Sequence, residues 1–416
     1  MKRFWEKLTK NSTWIIFLVM LFLFMPVAFN KEPQTDVKAI MTAVGIDKND
    51  DEYEVSCLMV IPTTEKDPNS DLHLVSAKGL TISQAINQLS HNIGKEVGLA
   101  HCDIIIMNDE AIEDNITKTL DFFIRGYNIT KKAYVVNCPE GAKEMLSTVM
   151  KDKSVSAILL ANLVNSEDNA VMGVGSDIDL IYRNYFEKSG VNRLNVFELE
   201  KNDEGSQQSS QSNGQESGSD SSTSSGGGSG QGEEKKLVSN NKLVFLKNGV
   251  KSCEIEQTEA TLYSIYKGQI DRGYLFLDNV NDNEKENAKM GVDLVKIKRN
   301  NDYVFENGKP TIKCNITLVV ALHEIYESET NVEQADNTKT HISKEVKDEI
   351  KKKFSQSAER ILSVSKENKT DIYEFYNKFY KYKNKEWKKY LEGLESSDEY
   401  LQDCQVKLSI KIKDKF

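Results

Sequence analysis

The sequence lacks the patterns of histidine and cysteine that metal and redox centres use. Its five histidines do not occur at the spacing of a helical metal site, and none of its six cysteines forms a C-x-x-C pair. Zinc and thioredoxin-type signatures are therefore missing. We expect the cysteines to be small buried hydrophobes, because Cys57 and Cys314 share strand parity with apolar neighbours. Disulfides stay open as an alternative, since a location outside the cytoplasm permits them.

Motifs for nucleophilic and nucleotide-dependent catalysis are missing as well. The sequence contains neither a G-x-x-x-x-G-K-[ST] loop nor a G-x-S-x-G elbow, and the Gly-Val-Gly at 173–175 is followed by Ser and Asp. His101 and Cys102 are adjacent, but neighbouring residues on an extended chain point to opposite faces. We therefore predict a protein that is not an enzyme, with no catalytic residue, cofactor or metal site.

Strong positive charge is another missing feature. The formal net charge is −10, and no basic patch is interleaved with aromatic residues, so the electrostatic footprint of a nucleic-acid binder is absent. The lysine-rich stretches near 351–353 and 378–389 also contain acidic residues, and we interpret them as solvated helix faces. The 416 residues leave room for two or three domains.

The first thirty residues carry an export signal. Four basic residues precede an apolar stretch of sixteen residues, 14–29, which is the layout of a secretory signal or a signal anchor. The stretch is shorter than the roughly 20 residues that span a bilayer, which favours cleavage. A poor small-x-small site, with Pro26 before Ala28 and Phe29 after it, favours retention instead. In either case the basic flank predicts that the remainder lies outside the membrane.

Composition divides the rest of the chain. Residues 205–232 are almost entirely Gly, Ser, Gln, Asn and acidic residues, and such a stretch has no apolar surface to bury. We predict a signal or anchor segment at 1–30, an N-terminal domain at 31–202, a disordered linker or insertion at 203–236 and a C-terminal domain at 237–416.

Hydrophobic periodicity predicts a mixed fold with both α/β and α+β parts. Before the linker, strands at 37–46 and 54–61 form a hairpin in which Gly45 offers the backbone freedom for a bulge or bend, and strands then alternate with helices in a layered α/β domain. Thr81 and Gln84 form a capping box at the first helix.

After the linker, strands come first, and the segment 311–320 alternates strictly. Two long helices follow, at 343–363 and from Asp371, where Glu374 has capping-box spacing and an aromatic cluster at 373–380 is predicted to be core. A strand at 405–413 closes the chain. This order predicts an α+β domain with long helices packed on an antiparallel sheet.

Five short motifs in the N-terminal domain carry a family resemblance. They are Val-Gly-Ile-Asp at 44–47, Gly-Leu-Thr-Ile-Ser-Gln-Ala at 79–85, Gly-Leu-Ala-His at 98–101 before three isoleucines, Leu-Asp-Phe-Phe-Ile-Arg at 120–125 and Gly-Ala-Lys-Glu-Met-Leu at 141–146. Their order and spacing resemble the C subunit of spore germination receptors, the Ger(x)C family. The C-terminal part is similar in plan, with a Glu-rich segment at 254–259, Asp371 and Trp387. The residues that match family motifs, and that we expect to be structural, are Gly45, Asp47, Thr81, His101, Asp121, Arg125, Asp371 and Trp387.

The resemblance implies a three-part, mixed α and β protein on the outer face of the spore inner membrane. There it would act without catalysis, beside integral-membrane subunits that sense nutrients and trigger germination. The alternative is a generic surface-anchored protein that binds peptide or cell-wall polymer. A secreted hydrolase with a site assembled from distant residues is a further rival.

One departure from the family concerns membrane attachment. Family members carry a cysteine that is lipidated after signal cleavage, and counting back from Gly45 puts that position near Phe29. No cysteine precedes Cys57, so the usual lipid attachment is not expected. An uncut N-terminal segment would replace the lipid as an anchor, and a cut one would leave the protein tethered by its partners.

Overall fold

The computed structural model describes residue 20 and residues 38–60, 72–127, 129–151, 175–201, 235–282, 285–328, 331–334, 342–396 and 399–415. Within these ranges the chain forms two β-sheets and ten helices. The predicted export segment, apart from Met20, and nearly all of the predicted linker lie outside the described residues.

The first sheet has ten strands in the order β10-β9-β8-β6-β5-β1-β2-β3, with β4 beside β1 and β7 beside β6. The strands are β1 Lys38–Asn49, β2 Glu52–Val60, β3 Leu72–Gly79, β4 Glu96–Gly98, β5 Ile104–Met107, β6 Tyr134–Asn137, β7 Ser176–Asp177, β8 Val191–Lys201, β9 Lys235–Lys247 and β10 Val250–Ile255. Strands β1, β5, β6 and β8 run parallel, whereas β2 and β3 continue from β1 as antiparallel hairpins.

Five helices pack on this sheet. They are α1 Ile82–Ile93, α2 Asp109–Glu113, α3 Ile116–Tyr127, α4 Ala142–Lys151 and α5 Ile178–Phe186. Helices α1, α2, α3 and α5 contribute to one core cluster, while α4 packs into a separate cluster that includes Ala43, Leu58 and Phe197. The predicted layered α/β architecture is therefore present, with helices on both faces of the sheet.

Of the two alternatives for Gly45, a bulge or a bend, the bulge is wrong. The β1–β2 register slips between Met41 and Ala43, and Gly45 pairs regularly with Ser56. The absence of a side chain at Gly45 matters for a neighbouring helix instead, as described below.

The second sheet has five strands, β11-β12-β13-β14, with β15 beside β13. They are β11 Gly273–Asp282, β12 Lys285–Glu306, β13 Lys309–Ser328, β14 Asn331–Gln334 and β15 Gln405–Asp414. Four strands are antiparallel, but β15 pairs with β13 in parallel. The predicted antiparallel sheet packed with helices is present, and the parallel pairing of β15 is the one correction to it, because the helices between β13 and β15 return the chain to the edge where β13 begins.

The remaining helices pack on the second sheet. They are α6 Gln257–Lys267, α7 Lys344–Glu367, α8 Phe375–Tyr382, α9 Asn384–Glu392 and α10 Tyr400–Asp403. Only the first of the two predicted long helices is long, because Lys383, with φ −137°, separates α8 from α9. Apolar residues spaced along α7, including Ile350, Phe354 and Ile361, are buried, as their periodicity predicts.

The first sheet contains strands from both sides of the Gly/Ser-rich stretch. Strand β9 begins at Lys235, inside the predicted linker, and pairs with β8 from Lys201↔Lys235 to Val191↔Lys247. Strand β10 then pairs with β9. Phe245 on β9 packs edge-to-face on Tyr263 of α6, with ring centroids 5.2 Å apart, so the core of the second sheet reaches the first.

Candidate functional site

Asp47 joins the end of β1 to the start of α4. Its carboxylate accepts hydrogen bonds from the backbone N–H of Ala142, at 2.6 Å, and of Lys143, at 2.8 Å. These are amides of the first helical turn, which have no partner inside the helix. Burial is the largest influence on the pKa of Asp47 and raises it, although the two amides favour the ionised form. Asp47 is therefore a helix cap supplied by a distant strand.

Gly45 allows α4 to lie against β1. A methyl group at Gly45 would lie 3.0 Å from Cβ of Ala142 and 3.1 Å from Cδ1 of Leu146. Both distances are tighter than ordinary van der Waals contact. The motifs at 44–47 and 141–146 are separate in the sequence, and they pack against each other in the fold.

An open cleft lies beside Asp47. Its volume is about 460 Å³, and carboxylates dominate its wall, with Lys143 as the cation that pairs with Glu54. The acidic lining residues are Asp47, Glu54, Glu110, Glu140 and Glu144. Within the described ranges, no group of three or more His, Cys, Asp or Glu residues could hold a metal ion.

Asp371 is a second buried helix cap. Its carboxylate accepts the backbone N–H of Phe375 and of Tyr376, both at 2.8 Å, and the hydroxyl of Tyr400 at 2.9 Å. Burial raises the pKa of Asp371 to about 6, even though these three donors favour the charged form. The carboxylate thus begins α8 and ties it to α10.

Trp387 lies against the same tyrosines. It is fully buried, and its ring is within 5.6 Å, centroid to centroid, of Tyr376, Phe379, Tyr390 and Tyr400. The two C-terminal family-motif residues, Asp371 and Trp387, are therefore brought into one cluster. Most of the predicted aromatic cluster is core, but Tyr380 is exposed, because it lies on the outer side of α8.

The predicted capping box at Asp371 and Glu374 is only half correct. Asp371 caps the helix, but Glu374 pairs with Lys267 and, at 3.3 Å, with Lys378. Burial opposes ionisation of Glu374, yet the two lysines outweigh it and hold its pKa below the ordinary value. Glu374 therefore links α8 to α6 instead of completing a local box.

The other family-motif residues lie apart from these clusters. Thr81 caps α1, accepting the N–H of Gln84 at 3.2 Å, as the sequence predicts. His101 is exposed in a turn, whereas Cys102 beside it is buried and its thiol pKa is raised by burial to about 12. Asp121 and Arg125 form an exposed i, i+4 ion pair at 2.8 Å on α3.

Asp177, in the Ser-Asp pair that follows 173–175 in the sequence, is also structural. Asp177 accepts the N–H of Leu180 at 2.7 Å and so caps α5, and it pairs with Lys132 at 3.0 Å. All six cysteines are free, five of them buried and Cys253 half-buried. The sequence-based interpretation of the cysteines as buried hydrophobes agrees with this burial.

Contacts that join distant parts of the chain involve residues that the sequence gave no reason to select. Lys251 pairs with Asp109 at 2.5 Å, and the Ser252 hydroxyl lies 2.6 Å from that of Thr370. Asn377 of α8 donates to Ser189 at 2.8 Å and to the carboxylate of Glu187. These partners are more than a hundred residues apart, and no local pattern reports such pairings.

Two family models match the chain in tandem. The spore germination protein N-terminal domain covers residues 35–198, and the spore germination B3/GerAC-like C-terminal domain covers residues 242–413. The chain belongs to the GerAC-like family of spore germination proteins. This family consists of germinant receptor C subunits, works within receptor complexes and is associated with membranes. The resemblance drawn from the five motifs is confirmed.

The crystal structure of the GerBC protein is similar to this chain. It is 14% identical, the match covers 89% of this chain and 96% of that one, and the TM-score is 0.49. No curated protein matches the sequence. Among the described residues of this GerAC-like chain, no helix has the length and apolar character needed to cross a bilayer.

Proposed function

We propose that this protein is the non-enzymatic C subunit of a nutrient germinant receptor complex, on the outer face of the spore inner membrane, and that spore germination needs it. The tandem match to both family domains, in family order, carries the proposal. The basic flank and apolar stretch of the first thirty residues support export and attachment to the membrane.

A structural role for the family-motif residues fits this function. Both carboxylates of Asp47 and Asp371 already accept helix amides, so neither is free to act as a general base without releasing a helix terminus. We infer that the motif residues maintain a rigid scaffold whose surfaces meet the integral-membrane subunits.

We also propose that the chain works as two domains, 31–202 and 237–416, although β9 and β10 complete the first sheet. The family models divide the chain at the same Gly/Ser-rich stretch. The ion pair of Lys251 with Asp109 and the hydrogen bond from Asn377 to Ser189 support a close association between the two domains.

Deletion in the spore-forming host tests the function. Spores without the protein are expected to lose nutrient-triggered germination for at least one nutrient, measured as the fall in optical density. The full chain should restore it. A Trp387→Ala chain should restore it poorly, whereas Asp121→Asn, which changes only an exposed ion pair, should restore it fully. Normal germination of the deletion strain with every nutrient, in a host without a second receptor, would falsify the proposal.

Co-purification separates the receptor role from the alternative of a generic surface-anchored binding protein. Solubilised spore membranes should yield a multispan membrane subunit together with the full chain. Recovery of cell-wall polymer or peptide without any such subunit would support the alternative instead.

A further inference from the structure

Helices α8 and α9 concentrate positive charge in an acidic protein. Between positions 375 and 392 there are six lysines and two acidic residues, Glu386 and Glu392, in a chain whose net charge is −10. Lys378 is occupied by its ion pair with Glu374. The acidic residues that would neutralise a solvated helix face are therefore scarce in this stretch.

The remaining lysines of α8 and α9 lie on the sides of these helices that face solvent. Phe379 and Trp387 are fully buried, so the opposite sides of α8 and α9 face solvent. Four lysines on those sides are exposed, and none has a carboxylate partner among the described residues: Lys381, Lys385, Lys388 and Lys389.

Exposed aromatic rings accompany these lysines. Tyr380 and Tyr382 of α8 are 51% and 54% exposed, and Lys381 lies over the Tyr382 ring at 5.3 Å. The bond from Asn377 to Ser189 holds the segment after α5 against α8. That segment follows Phe186, which is 78% exposed.

Positive charge continues around this surface. Lys188 is exposed two residues after Phe186, and Glu187 between them accepts a hydrogen bond from Asn377. On the other side, a cleft of about 680 Å³ is lined by three cationic residues, Arg299, Lys313 and Lys383, and by one carboxylate, Asp302, beside the stacked rings of Tyr303 and Tyr382. The lysine–aromatic face is defined here as Phe186, Lys188, Tyr380–Tyr382, Lys383, Lys385, Lys388 and Lys389.

We propose that the lysine–aromatic face rests on a bilayer surface that contains anionic lipid. Tyrosine and other aromatic rings favour the headgroup level of a membrane, and lysines near an anionic surface are attracted to it. The apolar export segment brings the chain to a bilayer, so lipid is the anionic surface it meets first. The inference rests on the proposed membrane location and adds which face of the fold meets the lipid.

Lysine acylation of the full chain in lipid nanodiscs tests the proposal. Discs of phosphatidylcholine are compared with discs that also contain phosphatidylglycerol, and each lysine is read by mass spectrometry. We expect the reactivity of Lys381, Lys385, Lys388 and Lys389 to fall roughly threefold or more in the anionic discs, and to recover at high salt. Equal reactivity in the two discs overturns the proposal.

Two quadruple variants give a matched comparison. Changing Lys381, Lys385, Lys388 and Lys389 to Gln should abolish the protection of Lys188 and Lys383. Changing Lys298, Lys411, Lys413 and Lys415 to Gln removes the same charge from exposed positions on the second sheet and beyond its last strand, and should leave that protection intact. Equal loss in both variants, or protection that requires a co-purified protein or nucleic acid, overturns a lipid-facing role.

Germination separates this inference from the proposed function. If the first quadruple variant loses lipid protection and also germinates slowly, both ideas are supported. If the wild-type chain supports germination but shows no lipid-dependent protection, only the lipid-facing role fails.

Discussion

Asp47 and Asp371 make the same pair of hydrogen bonds in two different settings. Each accepts two successive backbone amides of a first helical turn. Asp47 does so from a strand 95 residues before its helix and borders an open cleft. Asp371 precedes its helix by four residues and is enclosed by aromatic rings.

The difference shows where each cap gets its stability. The Asp47 cap forms only after β1 and α4 have packed, so its stability depends on tertiary structure. The Asp371 cap is local in sequence, but its enclosure opposes ionisation and raises its pKa. We expect changes around Asp371 to have the larger effects, because more buried surface depends on them.

The largest effect is expected from Trp387→Ala. Loss of the fully buried ring should lower the free energy of unfolding by about 3–5 kcal/mol, as for other buried aromatic residues. Urea unfolding of the full chain in detergent, followed by circular dichroism, measures it. Trp387→Phe should cost less than half as much, because the indole N–H has no partner among the described residues. Equal losses for the two variants would contradict the packing argument.

A pH effect should follow from Asp371. Its folded pKa of about 6 exceeds the ordinary value of 3.8, so its contribution to stability is complete below the ordinary value and is lost as pH rises through 6. The total change is about 3 kcal/mol, since one pKa unit corresponds to ~1.4 kcal/mol. Unfolding of wild type and Asp371→Asn across this window should show a shallower pH dependence for the variant. Parallel curves would rule out Asp371 as the cause.

Gly45→Ala tests the packing of α4 against β1, on which the Asp47 cap depends. The added methyl should meet Ala142 and Leu146 and destabilise the protein by about 1–3 kcal/mol. Gly126→Ala on α3 is the matched control, because nothing lies within 4 Å of its new methyl group. In a helix that change should stabilise by roughly 0.5–1 kcal/mol. The prediction fails if the two variants shift the unfolding midpoint in the same direction.

Asp47→Ala should have a smaller effect, about 0.5–2 kcal/mol, as for other caps. Hydrogen exchange should accelerate first at the amides of Ala142 and Lys143, which lose their acceptor. Thr81→Ala, at the cap of α1, provides a local comparison of similar size. Faster exchange throughout α4 without a change at its first turn would argue against capping.

Asp121→Asn should have the smallest effect. The ion pair with Arg125 is exposed, and such helix pairs contribute roughly 0.3–0.5 kcal/mol. The thermal midpoint should fall only slightly, and the fall should be smaller still in high salt, which screens the ion pair. A large shift would indicate that the α3 surface is buried against something other than water.

Local signals in the sequence were enough to predict many elements. The capping box of Thr81 with Gln84 and the strand alternation at 312–320 depend on neighbours a few residues away. Both can therefore be predicted from a short segment of sequence. The family-motif residues were likewise visible as motifs. Their contacts in space could not be predicted, because Gly45 and Asp47 contact α4, which lies about 95 residues further along the chain.

Three of the sequence-based errors share one cause. They are the parallel partner of β15, the pairing of β8 with β9 from the far side of the Gly/Ser-rich stretch, and the partners of Glu374, all of which depend on distant segments. The error at Tyr380 has a different cause. It was predicted to be core because it is aromatic, but it lies just beyond the buried stripe of the short helix α8 and is exposed.

The pairing of Lys201 with Lys235 has a practical consequence. The two strand ends are neighbours in the sheet, so the 33 residues between them close a loop whose anchors the fold already holds together. Loop-closure entropy grows only logarithmically, and doubling the length costs about 0.6 kcal/mol. We therefore expect a change of length at this point to be nearly neutral for folding. An epitope or fluorophore inserted there would mark the protein in live spores with little loss of stability.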